Sequence, residues 1–176
     1  TVILGYAELI EESYDTIESD MLLTYVQGIL KQGQKANAII QELLLLSSVR
    51  KSDVKVEALD MLKVVEGAIE RLKYPIEDSS PQIMIPETLP TALGHAMWVE
   101  EVWFNYISNA LKYCDPSPEI SIGGERNGDG QVRYWVRDNG PGISEPDQDS
   151  LFVPFTQIGQ VKSDGYGLGL SIVRRI

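Results

Sequence analysis

Apolar residues recur in alternating steps of four and three along residues 1 to about 50. The first set is Ile3, Ala7, Ile10, Tyr14 and Ile17. After a polar turn around Asp15 to Asp20 it resumes as Leu22, Val26, Ile29, Gly33, Ala36, Ile40 and Leu43. A period near 3.5 is that of a coiled-coil seam. The stretch has no proline, and its only glycines are Gly5, Gly28 and Gly33. The pattern predicts two helices joined by a short turn as an antiparallel hairpin. A lone hairpin leaves each seam half covered, and Leu23, Leu30 and Leu44 add another apolar row. Pairing two hairpins into a four-helix bundle buries both rows, so a homodimer through residues 1–50 is expected. The other solution is packing against another part of the same chain.

Residues 51–56 are polar and read as a linker, and from Leu59 the pattern changes. Leu62, Val65, Ala68, Ile69 and Leu72 predict an amphipathic helix ending before Pro75. Ile83 to Ile85, between Pro81 and Pro86, predict a short strand. Residues 98–113 predict a helix. Ile120 and Ile122, then Val132, Tyr134 and Val136, alternate with polar positions as half-buried strands do. Asn127-Gly128-Asp129-Gly130 between them is a hairpin turn. The fold class expected is α+β, with helices on one face of a mixed sheet. The expected domains are a helical hairpin, 1–52, and an α/β sandwich, 53–176.

Candidate chemistry concentrates on the 98–113 helix and two glycine runs. Glu101, Asn105, Asn109 and Lys112 share one face of the helix, while Val99, Trp103, Tyr106 and Ala110 share another. Asparagine is a poor helix former, so two of them one turn apart call for a reason. An amide oxygen is a suitable neutral ligand for Mg²⁺, which keeps waters and takes further ligands from phosphates. Lys112 suits a phosphate, and Tyr113 suits a base. In Gly165-Tyr166-Gly167-Leu168-Gly169-Leu170 glycine falls on alternate positions before Ile172 and Val173, as a phosphate-binding helix start requires. Asp138 shares strand parity with Val132, Tyr134 and Val136, which directs its carboxylate to the buried side, where it needs a donor. A purine amine would serve. A solvated Asp-Asn-Gly-Pro turn accounts for the same residues equally well. The aperiodic segment between Gly142 and Gly165 reads as a lid, with Phe152 and Phe155 as its apolar anchors.

Composition narrows the classes. The chain has 176 residues, 43% hydrophobic and 23% charged, as globular chains do. A net charge of −11 argues against nucleic acid as a partner. It also means that a polyanionic nucleotide needs a divalent cation here to offset repulsion. Cys114 is the single cysteine, so no disulfide forms within the chain, which fits a reducing compartment. No apolar run reaches the length of a membrane span. Both ends fall mid-pattern, so the sequence reads as a piece of a longer protein.

Asn105-Tyr-Ile-Ser-Asn109-Ala-Leu-Lys112-Tyr113 resembles the N box of sensor histidine kinases. Asp138-Asn-Gly140-Pro-Gly142-Ile resembles their first glycine box. Leu151-Phe152-Val-Pro-Phe155 is similar to the F box, and Gly165-Tyr-Gly167-Leu168-Gly169-Leu to the second glycine box. Thr1 to Leu9 resembles the stretch just after the phosphoacceptor box of the dimerisation helices. The motifs stand in the family's order and cover nearly the whole chain. The resemblance implies a Bergerat-type ATP-binding domain, with ATP and Mg²⁺ as ligands. It implies Mg²⁺ on Asn109, and the triphosphate on Asn105, Lys112 and the amides near Gly167 to Gly169. It further implies the adenine amine on Asp138 and the ring beside Tyr113. Gly140, Gly142, Phe155, Gly165 and Leu168 complete the site by position in the boxes.

By the same resemblance the chain is the cytoplasmic transmitter core of a two-component kinase, with membrane attachment only through segments outside it. The γ-phosphoryl of ATP passes to a histidine and then to an aspartate on a response-regulator receiver domain. That histidine is expected just upstream of Thr1. The only histidine present, His95, precedes the 98–113 helix and is expected to cap or pack. Two rival readings remain. A hydrolytic ATPase of the same fold carries a glutamate where Asn105 stands. A pseudo-kinase would keep the pocket as a dimeric interaction module.

Overall fold

A computed structural model of the chain describes residues 2–48, 55–114, 117–154, 156 and 167–176. The chain divides into two compact units, one ending at Ser48 and the other beginning at Val49. Of the expected linker only Lys55 and Val56 lie within the described residues.

The first unit is a helical hairpin of α1 (Val2–Ser13) and α2 (Ser19–Ser48). The Ser13 carbonyl accepts from the amides of Thr16 and Ile17, both at 2.8 Å, and closes α1. Tyr6 of α1 stacks on Tyr25 of α2 with ring centroids 5.5 Å apart. The Tyr6 ring also covers Gly28, where a Cβ would fall 2.4 Å from Cε2. No residue of α1 is buried, and Leu4, Leu23, Val26 and Leu30 are exposed. The side chains of Leu43 and Leu44 lie outside those described.

In the second unit β1 (Glu57–Leu59) leads into α3 (Met61–Arg71) and α4 (Lys73–Ser79). β2 (Gln82–Met84), β3 (Ala92–Gly94) and α5 (Ala96–Tyr113) follow. Then come β4 (Glu119–Arg126), β5 (Val132–Asp138), α6 (Glu145–Gln148) and α7 (Gly169–Val173). β2, β4 and β5 form a mixed sheet in that order, β2 parallel and β5 antiparallel to β4. β1 and β3 pair separately as an antiparallel ribbon. The β4–β5 turn is the Asn127–Gly130 run, closed by the Asn127 amide on the Gln131 carbonyl at 2.8 Å.

Leu59, Val65, Ala68, Leu72, Trp103 and Ile107 meet Ile122, Tyr134 and Val136 in one core. α3 and α5 thus cover one face of the sheet, the expected α+β arrangement. Trp103 donates its indole N–H to the Met61 sulfur at 3.1 Å and meets the Tyr134 ring edge-on. Cross-strand partners Gly123 and Trp135 lie on the opposite face, where the indole fills the space above the glycine.

Several local expectations need correction. The amphipathic helix does end before Pro75, at Arg71, but a second helix not expected there, α4, begins at Lys73 and includes the proline. Pro75 sits in the first turn of α4, where its missing N–H is one of the donors no helix uses. Along α3 the buried positions are Met61, Val64, Val65 and Ala68, while Leu62 is partly exposed. Along α5 Ile107 is fully buried, whereas Tyr106 is 38% exposed. A three-layered contact of α5 with α3, sheet and α7 buries a wider stripe than a one-face pattern suggests.

Candidate functional site

α5 supplies the centre of the site. His95 is its N-cap residue, with its carbonyl accepting from Trp98 and Val99. The His95 ring packs on Trp98 at 4.8 Å, and its side chain makes no cap bond. Trp103, Ile107, Ser108 and Ala110 are buried. Asn105 and Asn109 lie partly exposed beside them, and Lys112 and Tyr113 are exposed.

Asn105 is held from behind. Its Nδ2 donates to the Glu101 carbonyl at 2.8 Å and to Glu101 Oε1 at 3.2 Å. The other carboxylate oxygen of Glu101 accepts from Arg71 at 2.9 Å. Asn105 Oδ1 faces the start of α7, where a Cβ on Gly169 would stand 2.1 Å from it. The second glycine run therefore reaches Asn105 at a position where a Cβ would force that side chain to move.

The first glycine run approaches the other end of α5. A Cβ on Gly140 would stand 3.2 Å from the Tyr113 carbonyl. Asp138 pairs with Ile120, which keeps it on the core face of the sheet by register. It is nonetheless exposed, and its Oδ1 accepts from the Gly140 amide at 2.9 Å. The expectation of a buried carboxylate is thus corrected: the strand ends at the rim, and the turn's own amide supplies the donor. Asn139 accepts from the Glu119 amide at 3.0 Å and donates to the Ser117 carbonyl at 3.2 Å, tying the segment after α5 to the strand end. Burial first, then the Asp138 charge, pushes the Cys114 thiol above its ordinary value.

Gly142 and Gly167 both have positive φ, +74° and +67°, so each turn needs glycine for backbone reasons. The side chain of Leu168 is a core residue at 1% exposure, and its carbonyl accepts from the Ile172 amide at 3.0 Å and the Ser171 hydroxyl at 2.7 Å. The segment after Gly142, expected to lack regular structure, holds α6. This helix starts after Ser144, whose hydroxyl donates to Asp147 at 2.6 Å. Phe152 is partly buried; Phe155 and Gly165 lie outside the described residues.

Both glycine runs thus converge on α5, Gly169 at Asn105 and Gly140 at Tyr113. Sequence reasoning missed Arg71, Asn139 and Cys114 as neighbours of the site. Only Asn139 carried a signal, as the middle residue of Asp-Asn-Gly.

Among the described residues no group of three or more His, Cys, Asp or Glu is arranged to hold a metal ion. No helix there is long and apolar enough to cross a membrane.

Residues 94–176 match the family described as histidine kinase-, DNA gyrase B- and HSP90-like ATPase. The chain is 27% identical to the phytochrome-like protein Cph1 of Synechocystis over 174 residues, 98% of this chain and 23% of that protein. It is 29% identical to the adaptive-response sensory kinase SasA of Synechococcus over 151 residues, 83% of this chain and 40% of that protein. The Acinetobacter baumannii histidine kinase AdeS superposes with a TM-score of 0.71 at 21% identity, covering 99% of this chain and 80% of that one. Residues 94–176 belong to this ATPase family, and the chain carries a sensor histidine kinase catalytic domain, an ATP-binding module. It spans roughly a quarter to two fifths of the length of the two curated relatives above.

Proposed function

We propose that the chain is the transmitter core of a two-component kinase. It binds Mg²⁺·ATP between α5 and the two glycine runs and passes the γ-phosphoryl to a histidine of the dimerisation helices. A response-regulator aspartate then receives it. The observation that carries this reading is the double approach to α5, Gly169 onto Asn105 and Gly140 onto Tyr113.

In this reading Asp138 takes the adenine amine, and the Tyr113 ring flanks the base. Lys112 and the amides from Gly167 to Gly169 hold the phosphates, with Gly142, Phe155 and Gly165 shaping the loops around them. The donor set fits Mg²⁺: the asparagines offer neutral amide oxygens, and Mg²⁺ takes few protein ligands and keeps waters and phosphate oxygens. Asn109 holds the cation, which supplies neutralisation of charge on the triphosphate. The protein's own part is positioning and exclusion of water, which dominate phosphoryl transfer.

Residues 1–52 act as the dimerisation hairpin and 53–176 as the catalytic domain. Exposed Leu4, Leu23, Val26 and Leu30 support burial against a second copy. The hydrolytic alternative is disfavoured by Glu101, the nearest acid on this face of α5. Its carboxylate is engaged by Arg71 and Asn105 rather than open to activate water.

Equilibrium titration with ATP, with and without Mg²⁺, tests the reading on the chain and on its Asn109→Ala and Asp138→Ala variants. Loss of binding in Asp138→Ala and loss of the Mg²⁺ effect in Asn109→Ala are expected. Equal binding by all three would refute the site.

A further inference from the structure

A side-chain amide has two faces of nearly equal shape, one donor and one acceptor, and turns over easily when nothing holds it. Asn105 is held. Both of its Nδ2 hydrogens are taken within α5, by the Glu101 carbonyl at 2.8 Å and by Glu101 Oε1 at 3.2 Å. Oδ1 is therefore the atom turned to Gly169.

The Glu101 carboxylate is fixed in turn from a different element. Arg71 of α3 reaches Glu101 Oε2 at 2.9 Å and Glu100 Oε1 at 3.3 Å. The guanidinium lies over the Phe104 ring, 4.2 Å from its centroid. Arg71 thus has a flat apolar seat and two carboxylates, and its own freedom is small. The Glu101 side chain is only 17% exposed, so its bond to Asn105 is sheltered from water.

We infer that Glu101 and Arg71 are positioning residues that fix Asn105 as an acceptor toward the phosphate end of the nucleotide site. The inference rests on the nucleotide reading above and adds what Asn105 offers there. With its donors spent, Asn105 gives nothing to a bare phosphate oxygen. Its oxygen meets a donor on the ligand, such as a water carried by a phosphate-bound cation. A turned amide would set two hydrogens there instead and lose that preference.

The test compares Mg²⁺·ATP with Mg²⁺-free ADP, by equilibrium titration and thermal melting on this chain. The variants are Glu101→Ala, Glu101→Gln, Arg71→Ala and Asp138→Ala. Glu101→Ala and Arg71→Ala should weaken Mg²⁺·ATP by about tenfold and leave Mg²⁺-free ADP within about twofold. Glu101→Gln keeps an acceptor for Asn105 and should recover most of the loss. An ion pair this exposed on the Arg71 side adds little to stability, so the melting temperature should stay near that of the parent. A parallel loss of both ligands with a lowered melting point would overturn the inference in favour of plain support of the fold. Parental Mg²⁺·ATP binding by Glu101→Ala, with binding lost in Asp138→Ala, would overturn the inference alone. Parental binding by Asp138→Ala as well would remove the nucleotide reading and the inference with it.

Discussion

Asn105 and Gly169 touch across the junction of α5 and α7: a Cβ on Gly169 would lie 2.1 Å from Asn105 Oδ1. The obstacle is a side chain already held by Glu101, so it yields only by breaking those bonds. Gly169→Ala should cost about 1–3 kcal/mol of stability, as overpacking does. Adding Asn105→Ala should return much of that stability without restoring nucleotide binding. Thermal melts and ATP titrations of the single and double variants check both halves.

Asp138 should matter to nucleotide and thiol alike. Asp138→Asn replaces a charged acceptor, so ATP should bind about ten- to a hundredfold more weakly, the scale of a charge-assisted hydrogen bond. The carboxylate is also one cause of the raised Cys114 thiol. A raised pKa keeps the thiol protonated to higher pH, and the thiolate is the reactive form. Removing the Asp138 charge should lower that pKa and speed alkylation at fixed neutral pH. A rate-against-pH profile shifted to lower pH in Asp138→Asn is the expected result; an unmoved profile would contradict it.

Sheet stability should hinge on Gly123. The Trp135 ring lies where a Cβ would be, 2.2 Å from Cζ2. Gly123→Ala should destabilise the second unit by about 1–3 kcal/mol. Trp135→Leu in the same chain should relieve part of the loss. Denaturant melts of both variants decide it.

The hairpin has the same device in Tyr6 and Gly28. Gly28→Ala gains helix propensity of about 1 kcal/mol yet must displace the Tyr6 ring. The clash should win, lowering the thermal stability of the hairpin. Tyr6→Ala should make the same alanine stabilising. Far-ultraviolet circular dichroism of the four chains reads the sign.

Much of the fold was legible because its long elements obey one period each. The 3.5-residue seam marked α1 and α2, and the Asn-Gly-Asp-Gly turn marked the β4–β5 hairpin. β1 and β3 escaped, since three residues carry no alternation and neither has the apolar run between two prolines that marked β2. α4 escaped because Pro75 looked like a stop, though a first-turn proline is a start. At the site the asparagines and glycines were visible as residue types out of place in their elements. The acid at the strand's end was placed on the correct face, but its burial was not legible, because depth depends on where neighbouring strands stop. Arg71 was invisible for a different reason. It lies on another helix, and one-dimensional spacing says nothing about which helix packs on which.

α1 leaves every described side chain at least partly wetted. A helix of 12 residues with so little sequestered surface is marginal by itself. Under the proposed pairing with a second copy its order becomes a matter of mass action, rising with chain concentration and melting on dilution, while the second unit keeps a core of its own. Dilution would then dissolve the hairpin's helicity first and leave the proposed nucleotide site intact.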